Sequence, residues 1–163
     1  MSFRGAVQMP ALEDLLIGHM GGNPSSLSAN FIFLSPIVLP RSMTIVSIRL
    51  SIATSGGNMG IAIYDRGLTR LFTTGSIPVP AAGKQTVSLT ALGAAWSLRA
   101  GFYYLGIVND TGTASFTGVF NPAVAGDASG WGLNKGASFP PPASISGPGL
   151  SNTMPIIGLS ELP

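Results

Sequence analysis

The chain predicts an all-β protein, a single antiparallel β-sandwich of jelly-roll-like type with a short N-terminal arm. Three observations predict it. Gly at 22 and Pro at 13 of 163 residues punctuate short apolar runs, and no segment carries a long helical period. Residues 44–53 alternate cleanly, with Val46, Ile48, Leu50 and Ile52 on one side and Ser47, Arg49 and Ser51 on the other, the pattern of a strand with one buried face. Residues 102–108 form a run of aromatic and β-branched residues without a strongly polar side chain, which predicts a strand at the centre of a sheet. The length suits one domain with a real core and is too short for two.

In chain order, residues 1–26 differ from the rest and read as an arm. Leu12, Leu15 and Leu16 fall at helical spacing beside Glu13 and Asp14, which predicts a short helix over 11–17 stopped by Gly18, Gly21 and Gly22. A single sandwich has no need of this apolar stripe, so the arm is expected to order on a neighbouring subunit. From residue 27 to 163 the pattern is β. A first strand over 28–34 is expected to end at Ser35-Pro36, and Pro40-Arg41 turns the chain into the alternating strand. Met59, Ile61 and Ile63 alternate again before a hairpin at residues 64–67, where Gly67 is expected to supply the positive φ. Residues 68–74 return, and 75–83 with Pro78 and Pro80 form a loop or edge strand. Residues 84–89 are a strand with Val87 and Leu89 inward, followed by the central strand and a further strand over 113–120. Residues 121–153, rich in Gly, Pro, Ser and Ala, read as an irregular loop, long enough to be functional or packed on a partner. A strand over 154–159 closes the domain. The expected core is Val46, Ile48, Leu50, Ile61, Ile63, Trp96, Phe102, Tyr104 and Leu105.

Charge excludes several classes. Charged residues are 9% of the chain, against about 25% in an average soluble domain. With a mean hydropathy of +0.44, so little charge predicts a surface covered by an oligomer or a larger assembly. The eight Lys and Arg residues are spread along the chain without the clustering of a nucleic-acid footprint. No cysteine is present for a disulfide or a thiolate metal site. No stretch reaches the ~18–20 uninterrupted apolar residues of a membrane helix. The first residues lack the basic-then-apolar pattern of a secretion signal, and the expectation is a protein made in a cytoplasm.

Residues that carry chemistry are few. His19 is the single histidine, between Gly18 and Met20 at the foot of the arm, where no rigid element holds it as a general base. Asp65, Asp110 and Asp127 lie in three separate Gly-containing segments without calcium-loop spacing, and read as turn residues. Neither glycine group, at 56–60 or 126–132, precedes a Lys-Ser/Thr pair or a helix, so no phosphate loop is present. The expectation is no catalytic residue, no metal and no cofactor. Aromatic side chains suit both cores and sugar-stacking surfaces. Trp131, flanked by Gly130 and Gly132, is the best candidate for an exposed aromatic that contacts a partner or a glycan.

The order of segments resembles a known family. Residues 31–50, Phe-Ile-Phe-Leu-Ser-Pro-Ile-Val-Leu-Pro-Arg-Ser-Met-Thr-Ile-Val-Ser-Ile-Arg-Leu, resemble the apolar strand, Val-x-Pro-Arg and x-Thr-Ile opening of a β-sandwich domain found in structural proteins of tailed-phage virions. Residues 59–65, Met-Gly-Ile-Ala-Ile-Tyr-Asp, are similar to its strand before a hairpin. Residues 98–106, Leu-Arg-Ala-Gly-Phe-Tyr-Tyr-Leu-Gly, resemble its Pro-Gly-x-Tyr-Tyr-Leu-Ala segment, with Ala100 in place of the usual Pro. Residues 139–145 and 155–159 look like its close. The resemblance spans roughly residues 28–160. It implies a non-enzymatic virion protein, either a head decoration (cement) protein or a tail-fibre tip domain, often trimeric, and it transfers no catalytic or ligand-binding residue. With no fibre shaft in the sequence, the leading expectation is a capsid decoration protein bound to the outer shell as an oligomer, a trimer, with the major capsid protein or other virion proteins as partners. The alternative is a tail-tip receptor-binding protein that adheres to host glycans.

Overall fold

The computed structural model describes residues 23–26, 29–120, 132–151, 153–155 and 157–161. In chain order the strands are β1 (Asn23–Ser26), β2 (Phe31–Leu39), β3 (Met43–Thr54), β4 (Asn58–Tyr64), β5 (Arg70–Thr73), β6 (Ile77–Pro78), β7 (Gly83–Ser88), β8 (Trp96–Leu98), β9 (Gly101–Asn109), β10 (Ser115–Phe120), β11 (Gly132–Gly136), β12 (Gly149–Ser151), β13 (Thr153–Pro155) and β14 (Ile157–Glu161). Among the described residues one 3-10 turn, Thr90–Leu92, interrupts them. They build two antiparallel sheets, and the protein is an all-β sandwich.

The first sheet is built on β3. It meets β14 and then β10 along one edge, and β8 and then β7 along the other; β1 and β13 pair with β10. Strand β1 therefore places Asn23–Ser26 in the sandwich, four residues that the sequence reading assigns to the arm. The rest of that arm lies outside the described residues, the helix expected over 11–17 included. The second sheet runs β12-β11-β2-β9-β4-β5, with β6 also on β4.

Three local expectations are corrected. Strand β2 does not stop at Ser35-Pro36 but runs to Leu39. Its partner β11 reaches only from Phe31 to Leu34, so at Pro36 the described ladder is one-sided, opposite Tyr104 of β9. A residue without an N–H is tolerated where a strand edge is open. The alternation of β3 breaks at Val46. The pairing with β14 slips from Ser47–Ser160 to Ile45–Glu161, and on the other edge β7 stops at Ser47 while β8 resumes at Ile45. This bulge turns Ile45 inward at 0% exposure and leaves Val46 half-buried. Residues 121–153 are not one irregular loop, because β11 and β12 form an antiparallel pair within it.

The inner faces enclose one main core. From the first sheet come Ile45, Ile48, Leu50, Ile52, Val87, Trp96, Leu98 and Phe116, and from the second Met59, Ile61, Ile63, Leu105 and Ile107. Trp96 of β8 stacks on Phe72 of β5 with ring centroids 5.9 Å apart, joining the sheets across the sandwich. Six of the expected core residues, Ile48, Leu50, Ile61, Ile63, Trp96 and Leu105, are in it. Phe102 and Tyr104 are not. They point to the other face of the second sheet, where Phe102 is 38% exposed.

Candidate interaction surface

The outer face of the second sheet is apolar. Alternation puts Ile32, Leu34, Pro36 and Val38 of β2 on it, beside Val108, Gly106, Tyr104 and Phe102 of β9 in register, and Gly60, Ala62 and Tyr64 of β4 beyond. Such a face needs a cover, and residues 137–148 supply one. This strap leaves β11, crosses the sheet and returns into β12. Ile145 packs with Ile32, Leu34, Ala62, Tyr64 and Val108 in a second apolar cluster, joined by Ala137 and Phe139.

Polar bonds fix the strap along its length. The Ala137 amide donates to the Asn30 carbonyl at 2.7 Å, the Arg70 amide to the Ala143 carbonyl at 2.8 Å, and the Ile145 amide to the Leu68 carbonyl at 3.1 Å. The Arg70 guanidinium donates to the Pro141 carbonyl. The Tyr64 hydroxyl donates to the Pro142 carbonyl at 2.9 Å, and burial pushes this phenol up to about 12 while the nearby Arg70 charge pulls it down. Gly60 is what lets the strap sit this close: a Cβ there would lie 2.3 Å from Cδ of Pro141. The Phe139-Pro140 peptide bond is cis.

The hairpin beneath the strap corrects a further expectation. Gly67 does not take the positive φ; Leu68 does, at 63°. The Asp65 amide donates to the Thr69 carbonyl and the Leu68 amide to the Asp65 carbonyl. This is a three-residue hairpin loop whose last position is left-handed. Leu68 is held there because its side chain packs against the second cluster and its carbonyl receives the strap.

The strap stops short of one end of the sheet. Beyond it, Val38 and Phe102 are paired across β2 and β9, with Val38 66% exposed. Phe102 meets Tyr104 edge-on, centroids 5.0 Å apart. Three exposed arginines lie in the turns at this same end: Arg41 after β2, Arg66 after β4 and Arg99 before β9. Of the acids in these turns, Asp65 is occupied by the Thr69 amide at 2.9 Å. Among the described residues nothing covers the apolar pair Val38 and Phe102, a surface suited to contact with another protein.

The sequence matches no protein-family model, and no curated protein resembles it closely enough to show a family.

The expected site residues fall elsewhere. Leu12, Leu15, Leu16 and Trp131 lie outside the described residues, as do His19 and Asp127. Asp65 and Asp110 are turn residues. Asp110 accepts from the Asn58 amide at 2.8 Å and from Nδ2 of Asn58 at 2.7 Å, and these bonds hold its carboxyl below the usual carboxylate range. Among the described residues no group of three His, Cys, Asp or Glu side chains is placed to hold a metal ion, and no helix is long and apolar enough to cross a membrane. Reading from sequence misses Val38 and Phe102 as surface residues. The available signal is that Val38 and Pro36 share the parity of Ile32 and Leu34, on the face opposite to Phe33, Ile37 and Leu39.

Proposed function

We propose that this protein is a non-enzymatic structural protein of a tailed-phage virion, a capsid decoration protein that binds the outer shell as an oligomer. The segments that resemble the phage virion domain supply its class. The observation that carries the reading is the end of the second sheet that the described residues leave exposed, where Val38 at 66% and Phe102 at 38% exposure sit in a chain with only 9% charged residues. An apolar patch of this kind on a rigid sandwich is explained by permanent contact with protein neighbours. Decoration proteins work by such contact: they add buried area across shell subunits and perform no chemistry.

Imaging labelled protein on intact particles tests the reading. Signal over the head, and rebinding of purified protein to particles stripped of it, is the expected outcome. Signal confined to the tail tip, with binding to host cells or glycans, would replace it with the receptor-binding alternative. Absence from purified particles would overturn both.

A further inference from the structure

We infer that β7 is the edge by which this protein self-associates: it pairs antiparallel with β7 of a second copy across a two-fold axis at Thr86, so that the first sheets of two sandwiches run on into one another. The inference rests on the oligomer named in the proposed reading, supplies its junction, and does not depend on where on a particle that oligomer sits.

The hydrogen-bond pattern identifies the open groups. The Leu89 amide donates to the Val46 carbonyl at 2.8 Å, and the pairs Ile48–Val87 and Leu50–Gln85 follow at two-residue steps. Bonded pairs alternate in an antiparallel ladder. Gln85, Val87 and Leu89 therefore turn their backbone groups to β3, and Lys84, Thr86 and Ser88 turn theirs outward. Among the described residues no strand lies on that side of β7, and none of these outward backbone groups has a partner. Such an edge accepts a further strand through its main chain.

The neighbouring edges are blunted and β7 is not. Strand β5 carries a bulge opposite Ile63 and Tyr64, and the strap covers its start through the Thr69–Ser144 bridge and the Arg70 amide. Strand β6 is two residues long and ends in Pro78, and β8 has three residues. Strand β7 has six residues, no proline and an unbroken register from Ser47–Ser88 to Ile52–Gly83. Two large apolar side chains are exposed on the same side of the sandwich. Leu92, in the 3-10 turn after β7, is 45% exposed, and Leu71 of β5 is 43% exposed, next to the Phe72 that stacks on Trp96 of β8. Apolar side chains beside an open strand suit a covered side of the molecule. The longer segments outside the described residues join the sandwich at β1, β10 and β11, towards the edges away from β7 and β5.

A second copy fits because the edge is complementary to itself. With the axis at Thr86, Thr86 faces Thr86, a favourable cross-strand pair, and Lys84 faces Ser88. The outward groups then form about six main-chain bonds. The strand's one charge meets no like charge, because the two Lys84 residues lie about 13 Å apart along the strands. The contact is isologous, so it closes as a two-fold dimer and not as the trimer that the family resemblance implies.

Size-exclusion chromatography with light scattering on the full chain tests this. Wild type is expected at about twice the monomer mass of 16.6 kDa. Thr86→Pro removes the central outward amide and spares the bonds to β3, and it should run as a folded monomer. Thr86→Cys, in a chain without cysteine, should cross-link into a dimer on mild oxidation, because bonded residues directly opposite have Cα atoms about 5.5 Å apart, within disulfide reach. Lys84→Cys should not cross-link. A wild type that runs as a monomer or a trimer, a dimer that survives Thr86→Pro, or equal cross-linking at both positions would overturn the inference. Should Thr86→Pro fail to fold, Thr86→Lys takes its place: it opposes two charges across the axis, and its monomer should return towards dimer as salt is raised. A variant that stays dimeric at low salt would overturn the inference equally. A wild-type dimer that does not bind particles leaves the β7 junction standing and overturns the virion reading; a wild-type monomer that binds them does the reverse.

Discussion

Tyr64 shows how one side chain serves two layers. Its ring is fully buried in the second cluster while its hydroxyl reaches the Pro142 carbonyl at 2.9 Å. Replacing it with Phe leaves that carbonyl without its donor and should cost about 1–3 kcal/mol in urea unfolding. The same residue sets an alkaline limit. Its folded pKa of about 12 lies above the ordinary tyrosine value of about 10, so folding favours the protonated phenol. The stabilisation is complete below about pH 10 and is lost as pH rises towards 12. Unfolding measured across that interval should fall for the wild type and be flatter for Tyr64→Phe. Ser35 is the opposite case. It is 7% exposed, opposite Leu105, and its Oγ has no hydrogen-bond partner among the described residues. Ser35→Ala removes a desolvated hydroxyl and should leave stability unchanged or raise it by up to about 1 kcal/mol; a loss above that would reveal a partner for the hydroxyl.

At the scale of elements, the strap decides what the second sheet exposes. Its fit depends on Gly60, because β4 and Pro141 approach more closely than a Cβ allows. Gly60→Ala must push Pro141 away and should cost about 1–3 kcal/mol, the usual range for overpacking. Hydrogen exchange gives the sharper readout. The amides of Arg70 and Ile145, which donate to and from the strap, should exchange faster in the variant, while those of β3 stay protected. Uniform acceleration would mean that the strap and the sandwich open as one unit. The bulge at Val46 is the second device at this scale: it hands β3 from β7 to β8 and lets a long strand serve two partners on one edge.

For the whole molecule, stability resides in the core between the sheets. Ile48 is fully buried, in register with Val87 of β7 and Leu159 of β14. Ile48→Ala should cost about 2–5 kcal/mol, whereas Val46→Ala, two residues away and half-buried at the bulge, should cost less than about 1 kcal/mol. Equal losses at the two sites would place the bulge elsewhere. The proposed contact surface, the exposed Val38–Phe102 end, lies on the opposite face of the second sheet from this core, so substitutions there should have little effect on unfolding.

The all-β class, the single sandwich and the inward face of Ile48, Leu50, Ile52, Ile61 and Ile63 were legible in the amino-acid order, since period-two alternation is a local signal that each strand carries by itself. Strand β4 and the inner half of β9 were likewise visible as runs without polar residues. Local signals say nothing about which strand lies next to which. Pro36 reads as a stop until it is known that β9 pairs with β2 through to Leu39. Val46 reads as core until two partners change over beside it. Phe102 reads as buried because an apolar run does not disclose where its cover ends. The strap is the clearest instance: residues 137–148 read as part of an irregular loop, functional or packed on a partner, and their place across their own sheet appears only when chain separations of more than seventy residues close to bring Pro141 against Arg70 and Pro142 against Tyr64. The exposed end of the second sheet, and with it the candidate surface, is the difference between the length of β2 and β9 and the width of that strap, a quantity that long-range packing alone sets.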